Sequence, residues 1–490
     1  MKKFSKVLSI LLSVVLVISS FYLLYQVIRL NVLPSKFLFP LTIGVVVLDA
    51  IFILLLVYFS KNVVSKIICI VLTLFICVAS CMGGYYISKT QGALSNITNV
   101  AKHAKNTVSV IVKESSSIKD KSQLNGVSVG SLRLNEQGSK KALKELSNEG
   151  IVLNQTEYDS MTALLEAFYN GEVDSIIINE SSRSQILDIE AYSNFDSNTR
   201  VVYQTSYKVK NNDSATSVSD ITSKPFNVLI SGSDTRGGFD ENGRSDVIMV
   251  ATVNPKTHTI LLTSVPRDFY VTTACDAGDG CMQGALDKIT HTGIHGTNTT
   301  KRTVEQLLGI EINYTFKVGF DTVTDLVDAL GGVDVYVEPG YAVHNEYINV
   351  KEGVNHLYGK EALDYARERY AYSEGDRQRT KNQQQVLMGI VKEATKPSVI
   401  TNYAAIMDTI ANTFSTTMSN EEITDLIKYQ LNNNPTWKME QYMVDGTGDT
   451  LMCAELGDAA SVMVPDQSTV KMAKDKINAV LAGKSSEDVK

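Results

Sequence analysis

Asp234, Arg244, Asp246 and Arg267 stand at the ends of three short apolar runs between Phe226 and Tyr270. Carboxylates beside guanidiniums are the groups that hold a metal ion and a phosphate. Val228-Leu229-Ile230 stops at Ser231-Gly232-Ser233-Asp234, Val247 to Ala251 follows Asp246, and Ile260-Leu261-Leu262 ends at Pro266-Arg267-Asp268. Runs of this length bounded by Gly, Asn and Pro predict buried strands, and charged groups at strand ends in an α/β sheet commonly surround a ligand crevice. A second cluster lies downstream. The phrase His356 to Arg369 predicts a short helix from Gly359 to about Tyr365, then an extended Arg367-Glu368-Arg369 whose i, i+2 spacing sets two guanidiniums on one side. Asp376 is placed to cap a following helix on which Arg379 and Gln383 share a face that Leu387 and Ile390 continue.

Each of these arginines alone is explained by a surface ion pair, for instance with Glu368 or Asp376. Five guanidinium forks in two clusters point instead to bidentate phosphate binding. Asp234 and Asp246, of opposite sign, fit Mg²⁺ between carboxylates and phosphate oxygens. A stripe passing from Arg379 to Leu387 suits a ligand with an anionic head and an apolar tail. Ser231, Ser233 and Ser245 lack a paired base and read as turn residues. His291 reads as a core hydrogen-bonding residue or an acid or base.

The elements that must carry these residues follow a long membrane-like segment in a chain of 490 residues. Val7–Val27, Phe37–Phe59 and Ile67–Ile87 are each apolar enough and long enough to cross a bilayer, which takes about 20 residues of helix. Asp49 is the one acidic residue within them, a functional candidate or a helix-packing contact. Lys2, Lys3, Lys6, Lys61 and Lys66 against Arg29 and Lys36 favour a cytoplasmic N-terminus. Three crossings then put everything after Ile87 outside the cytoplasm. Residues 1–88 carry seven Lys and Arg flanking the spans against one Asp, so the overall charge of −7 makes the remainder acidic, a poor match for nucleic acid. Cys275 and Cys281 bracket a short Asp/Gly loop and are either disulfide-bonded in an oxidising exterior or two free thiols.

The expected organisation is a membrane unit at 1–88, a small accessory α/β unit at 89–209, a solvated linker at 210–225 and a large α/β/α sandwich at 226–490. In the accessory unit, strands at Val108–Val112, Gly126–Gly130, Ile151–Leu153 and Val173–Ile178 alternate with helices at Ser139–Leu146 and Met161–Tyr169, a pattern loosely similar to half of a periplasmic solute-binding fold. In the large unit, Gly331-Gly332 stops a helix, Ser419 and Glu422 form a capping box, and strands alternating with helices argue for a layered sandwich.

The phrases Asn227 to Arg236, Gly243-Arg-Ser-Asp-Val-Ile-Met, Ser264-Val-Pro-Arg-Asp268, Lys288-Ile-Thr-His, Ala362 to Arg369 and Gly375-Asp-Arg-Gln-Arg379 resemble the LytR-CpsA-Psr family. The three spans with the extra α/β unit look like its capsule-type CpsA branch. The resemblance implies an extracellular, membrane-anchored phosphotransferase. It would move capsular polysaccharide from a polyprenyl pyrophosphate carrier to peptidoglycan through a phosphodiester, with hydrolysis of the pyrophosphate as a variant outcome. It implies Asp234 and Asp246 as ligands of Mg²⁺, with Mn²⁺ as an alternative, and Asp234, Asp246 and Arg267 as catalytic groups. Arg244, Arg267, Lys288, Arg367, Arg369, Arg379 and Gln383 would bind phosphate. Capsule assembly proteins and membrane lipid are implied partners, and no direct nucleic acid. The alternatives are a membrane-bound regulator of capsule genes and a non-catalytic scaffold for capsule assembly.

Overall fold

The computed structural model describes residues 2–59, 62–98, 103–133, 136–233, 241–276, 279, 281–411 and 414–490. Asp234 lies outside the described residues.

Three apolar helices, Lys2–Leu30, Ser35–Leu54 and Val63–Thr98, form the N-terminal unit, and each is long and apolar enough to cross a membrane. The buried Asp49 carboxylate accepts a hydrogen bond of 2.9 Å from Ser20 of the first helix, so it serves as a helix-packing contact. The third helix runs on past Ile87 to Thr98, and this extension packs on the large unit. Lys89 pairs with Asp408 at 2.6 Å and Thr98 donates to Asn420. At the turn between the first two helices, Lys36 donates to the carbonyl of Asn432, and Asn31 accepts from Lys428.

A five-stranded sheet follows, in the order Asn154–Tyr158, Ser128–Leu132, Ser175–Asn179, His103–Lys113, Thr199–Lys210. Two of its strands differ from the sequence expectation. The edge strand is the exposed Asn154–Tyr158 and not Ile151–Leu153, because Asn154 to Tyr158 pair in parallel register with Ser128 to Leu132. Thr199–Lys210 was not anticipated. It is an outer strand paired antiparallel along the whole of His103–Lys113, and its alternation of Val201, Tyr203, Thr205, Tyr207 and Val209 is a strand signal that sequence reading passed over. The stretch after it lies against the large unit: Thr216 donates to the carbonyl of Asn313, Val218 to the Tyr314 hydroxyl, and Ile221 is buried.

The large unit is a mixed six-stranded sheet in the order Phe414–Thr416, Tyr314–Gly319, Phe226–Ser233, Ser245–Asn254, Thr259–Ser264, Lys438–Met443. The period-2 alternation of the central strands assigns the two faces. Leu229, Val250 and Leu261 pack against Val304 and Leu308 of helix Thr297–Leu308 and Ala473, Ile477 and Val480 of helix Gln467–Leu481. Val228, Ala251, Ile260 and Leu262 pack with Leu387, Met388 and Val391 of helix Asp376–Ala394 and Ile423 and Leu426 of helix Asn420–Asn433. The result is helix, sheet, helix in three layers. Gly331 stops helix Phe320–Leu330 in the left-handed conformation, and Ser419 with Glu422 closes the expected capping box.

The hairpin Gly446–Cys453 with Asp458–Pro465 joins the two sheets' cores. Cys453, Leu456 and Val462 are buried among Met161, Leu165, Phe168 and Ile176 of the five-stranded unit, and Met161 N–H donates to the Leu456 carbonyl at 2.9 Å. Gly457 turns this hairpin at φ +64°, where a Cβ would stand 2.5 Å from the Asp159 carbonyl oxygen. Gly457→Ala is therefore expected to cost about 1–3 kcal/mol through crowding against backbone that cannot yield. A lowered melting temperature of the full chain in detergent, with faster hydrogen exchange at 154–170, would register it. An unchanged melt would contradict the docking.

Candidate functional site

The antiparallel registers bring the predicted strand ends to one edge of the large sheet. Ser233 pairs with Ser245, and Met249 pairs with Ser264. The end of Phe226–Ser233, the start of Ser245–Asn254 and the end of Thr259–Ser264 therefore lie side by side. Strand order brings Arg267 to Arg244 and Asp246, which the chain already places two residues apart.

Asp246 is the centre. Its Oδ1 lies 3.2 Å from Nη1 of Arg267 and accepts a 3.0 Å hydrogen bond from Thr290, while Oδ2 lies 3.6 Å from Nη2 of Arg244. Burial pushes this carboxyl up, but Arg244 and Arg267 outweigh burial and hold it below the usual carboxylate range, with help from Thr290 and Arg379. It stays ionised at any physiological pH. Arg267 also approaches Asp268 at 3.8 Å, and Lys288 pairs with the same Asp268 at 3.2 Å. Burial disfavours the Arg267 cation, yet Asp246, Asp268 and Asp376 raise its pKa.

Helix Asp376–Ala394 contributes Arg379 from its first turn. Gly375, at φ +54°, is the N-cap, and Asp376 is the first helical residue, so Asp376 does not cap as expected; its carboxylate pairs with Arg379 three residues on. Burial, then the nearby Arg267, lower the Arg379 pKa, with Arg369 adding to the repulsion. The Nε atoms of both Arg267 and Arg379 are buried without a hydrogen-bond partner among the described residues. Buried guanidinium donors left without a hydrogen-bond partner are what an incoming phosphate would satisfy.

Other predicted residues are placed differently. Helix Gly359–Arg367 extends through Arg367, which ends it exposed, so Arg367 and Arg369 do not lie on one extended strand as the spacing suggested. Helical propagation through Ala366 takes up the residue that extension would have needed. Arg369 donates to its neighbour Tyr370 at 2.6 Å and stacks over that ring. Gln383 is partly buried one turn beyond Arg379. Ser231 and Ser245 hydrogen-bond each other at 2.9 Å, and Ser245 bonds Thr300 at 3.0 Å, with no base beside them in these bonds.

Beside the cluster, His291 is buried and bonds Asp287 at 2.7 Å through Nδ1, a core contact. His295 pairs with Glu455 of the hairpin at 2.9 Å, and Asp287 accepts from the Glu455 N–H at 2.7 Å. These bonds tie the segment carrying Lys288 and Thr290 to the hairpin. Cys275 and Cys281 form a disulfide in the neighbouring loop. Sequence reading missed Thr290, although it lies within the Lys288-Ile-Thr-His phrase, and missed Asp188, whose carboxylate pairs with Nη1 of Arg244 from the five-stranded unit.

Among the described residues no three of His, Cys, Asp and Glu form a metal-binding group. Mg²⁺ commonly takes only one or two carboxylates and completes its shell with phosphate oxygens and water. An ionised, buried Asp246 with Oδ2 at no closer than 3.6 Å from Nη2 of Arg244 fits that role.

The profile of the LytR_cpsA_psr family matches residues 191–479. A polyisoprenyl-teichoic acid–peptidoglycan teichoic acid transferase TagU of Bacillus cereus is 31% identical over 243 residues, covering 49% of this chain and 77% of that protein. The Bacillus subtilis protein of the same name is 35% identical over 203 residues, covering 41% and 63%. Among solved structures, gbs0355 of Streptococcus agalactiae is similar at 26% identity and a TM-score of 0.46, covering 54% of this chain and 89% of that one. The crystal structure of B. subtilis TagU is similar at 29% identity and 0.41, covering 53% and 97%.

Burial lowers the His295 pKa, but Glu455 more than offsets it, so the folded value lies above the ordinary 6.5. A raised pKa means that the pair stabilises the fold fully below pH 6.5 and that this contribution is lost as pH rises through the folded value. Asp287 and His291 face the same pocket and remain in place. The difference in melting temperature between the native chain and His295→Gln is expected to shrink between about pH 6 and pH 9. A difference that stays constant or grows would refute the pairing.

Proposed function

The chain belongs to the LytR_cpsA_psr family, and from that premise we propose that it is a membrane-anchored extracellular phosphotransferase that moves capsular polysaccharide from a polyprenyl pyrophosphate carrier to peptidoglycan. The observation that carries the reading is the buried convergence of Arg244, Arg267 and Arg379 on Asp246 at one sheet edge. Relatives named as transferases of polyisoprenyl-linked teichoic acid to peptidoglycan support the reaction class. The capsular polymer is a finer assignment, supported by the three spans and the additional five-stranded unit, an arrangement similar to the capsule-type branch. The contacts of Asn31, Lys36 and Lys89 with the large unit set it on the side of the first turn and the end of the third span, and the lysine bias of the N-terminus and the Lys61 to Lys66 loop supports that side as the exterior.

In this reading Arg244, Arg267, Arg379 and Lys288 grip the diphosphate, with Arg369, Arg367 and Gln383 at its margin. The acceptor hydroxyl oxygen attacks the glycan-linked phosphorus, the bond to the bridging oxygen breaks, and polyprenyl phosphate leaves. The hydroxyl proton passes to a carboxylate, Asp234 or Asp246. Asp246, held ionised by two guanidiniums, is a weak base there and acts chiefly by charge and orientation. Asp246 and Asp234 would hold Mg²⁺, which when bound supplies further neutralisation of phosphate charge. Leu387 and Ile390, which continue the face of Arg379 and Gln383, are partly buried against the neighbouring cores, and the polyprenyl tail would lie alongside them.

Arg267→Ala is expected to lower transfer of glycan from polyprenyl pyrophosphate to peptidoglycan by about a hundredfold or more, as loss of a preorganised charge at a reacting phosphate does. The checks are transfer by the purified full chain and the amount of wall-attached capsule in cells. Unchanged wall attachment would favour a scaffold. Protease treatment of protoplasts that spared the region after Ile87 would reverse the topology.

A further inference from the structure

Arg244 does not meet only its own sheet. Its Nη1 pairs with Asp188, the last residue of the short helix Arg183–Asp188 in the five-stranded unit. A carboxylate at a helix C-terminus adds negative charge where the backbone carbonyls already supply it, so the helix itself gains nothing from Asp188. The element is nevertheless held firmly in place. Arg183, buried, bonds Glu180 at 2.8 Å and Asp196 at 2.9 Å and lies over the Phe195 ring.

The five-stranded unit also grips the other side of this edge. Lys105 pairs with Glu241 at 3.0 Å, and Lys317 of the large sheet holds Glu241 from the other side by donating to its backbone carbonyl at 2.8 Å. With the hairpin core around Leu456, these contacts fix the approach of Asp188 to Arg244. The two partners differ in exposure. The Asp188 side chain is 56% exposed and the Arg244 side chain 8%. Asp188 can return to water by rotating its side chain, whereas Arg244 cannot leave the cluster. Of the two, only the carboxylate is free to yield to another anion.

We propose that Asp188 is a stand-in anion: it occupies one arm of Arg244 and must release it when a diphosphate binds, so a carboxylate of the accessory unit sets the affinity of the site. This rests on reading the arginine cluster as a phosphate site. The contact links the accessory unit to occupancy of that site, since ligand binding removes one of the bonds holding the units together and loosening the units frees the guanidinium. The coupling is reciprocal by linkage.

The test is calorimetric binding of inorganic pyrophosphate, without added metal, to the full chain in detergent, comparing the native chain with Asp188→Asn, Asp188→Ala and Arg267→Ala. Asp188→Asn and Asp188→Ala are expected to tighten binding by about three- to tenfold, the size of one partly exposed ion pair. In the native chain, pyrophosphate is expected to speed hydrogen exchange at 183–188. Unchanged or weaker binding in both Asp188 variants, while Arg267→Ala still loses affinity, would overturn the role of Asp188 and leave the phosphate site standing. Native-like pyrophosphate binding by Arg267→Ala would overturn the phosphate site and this proposal with it.

Discussion

One buried carboxylate organises this protein's site. Asp246 would be costly to ionise away from water if it stood alone, and three guanidiniums would repel one another if they had no anion between them. Each sign makes the other tolerable. The Nε donors of Arg267 and Arg379 are buried without a hydrogen-bond partner among the described residues, so the arrangement keeps donor capacity for a further anion with several acceptor oxygens.

That balance depends on the sheet. Arg244 and Arg267 flank the ends of two different strands, Arg379 comes from the helix laid across one face, and Lys288 and Thr290 from a segment tied to the far hairpin by His291, His295 and their carboxylates. Alternating side chains send one set of residues to the helices that include Thr297–Leu308 and the other to those that include Asp376–Ala394, and both packings fix the same edge. The hairpin Gly446–Pro465 then serves two cores at once, since its apolar residues enter the five-stranded unit while Glu455 holds the site-bearing segment.

Much of this was legible before the fold. Val228 to Ile230, Val247 to Ala251 and Ile260 to Leu262 announce themselves as strands because their apolar runs are short and sharply bounded, and the stop at Gly331 and the cap at Ser419 are local chemistry. Where the expectation failed, the pairing partner outside the segment decided the outcome. Thr199–Lys210 is a strand because His103–Lys113 offers it a ladder, and Asn154–Tyr158 because Ser128–Leu132 does. Arg367 is helical because the turn before it propagates one step further than its composition required.

The sequence by itself determined which residues carry charge, which runs are buried, and that three segments can cross a bilayer, because burial and periodicity are written into neighbouring positions. The family resemblance was likewise readable from phrases in order. Only the tertiary structure decided that Thr290 reaches Asp246, that Cys275 meets Cys281, and that Asp188 holds Arg244 across 56 residues of chain. The last of these depends on how separate cores dock and the others on how loops fold back on the sheet, and a side chain's partner across such a contact leaves no periodic trace in the chain that bears it.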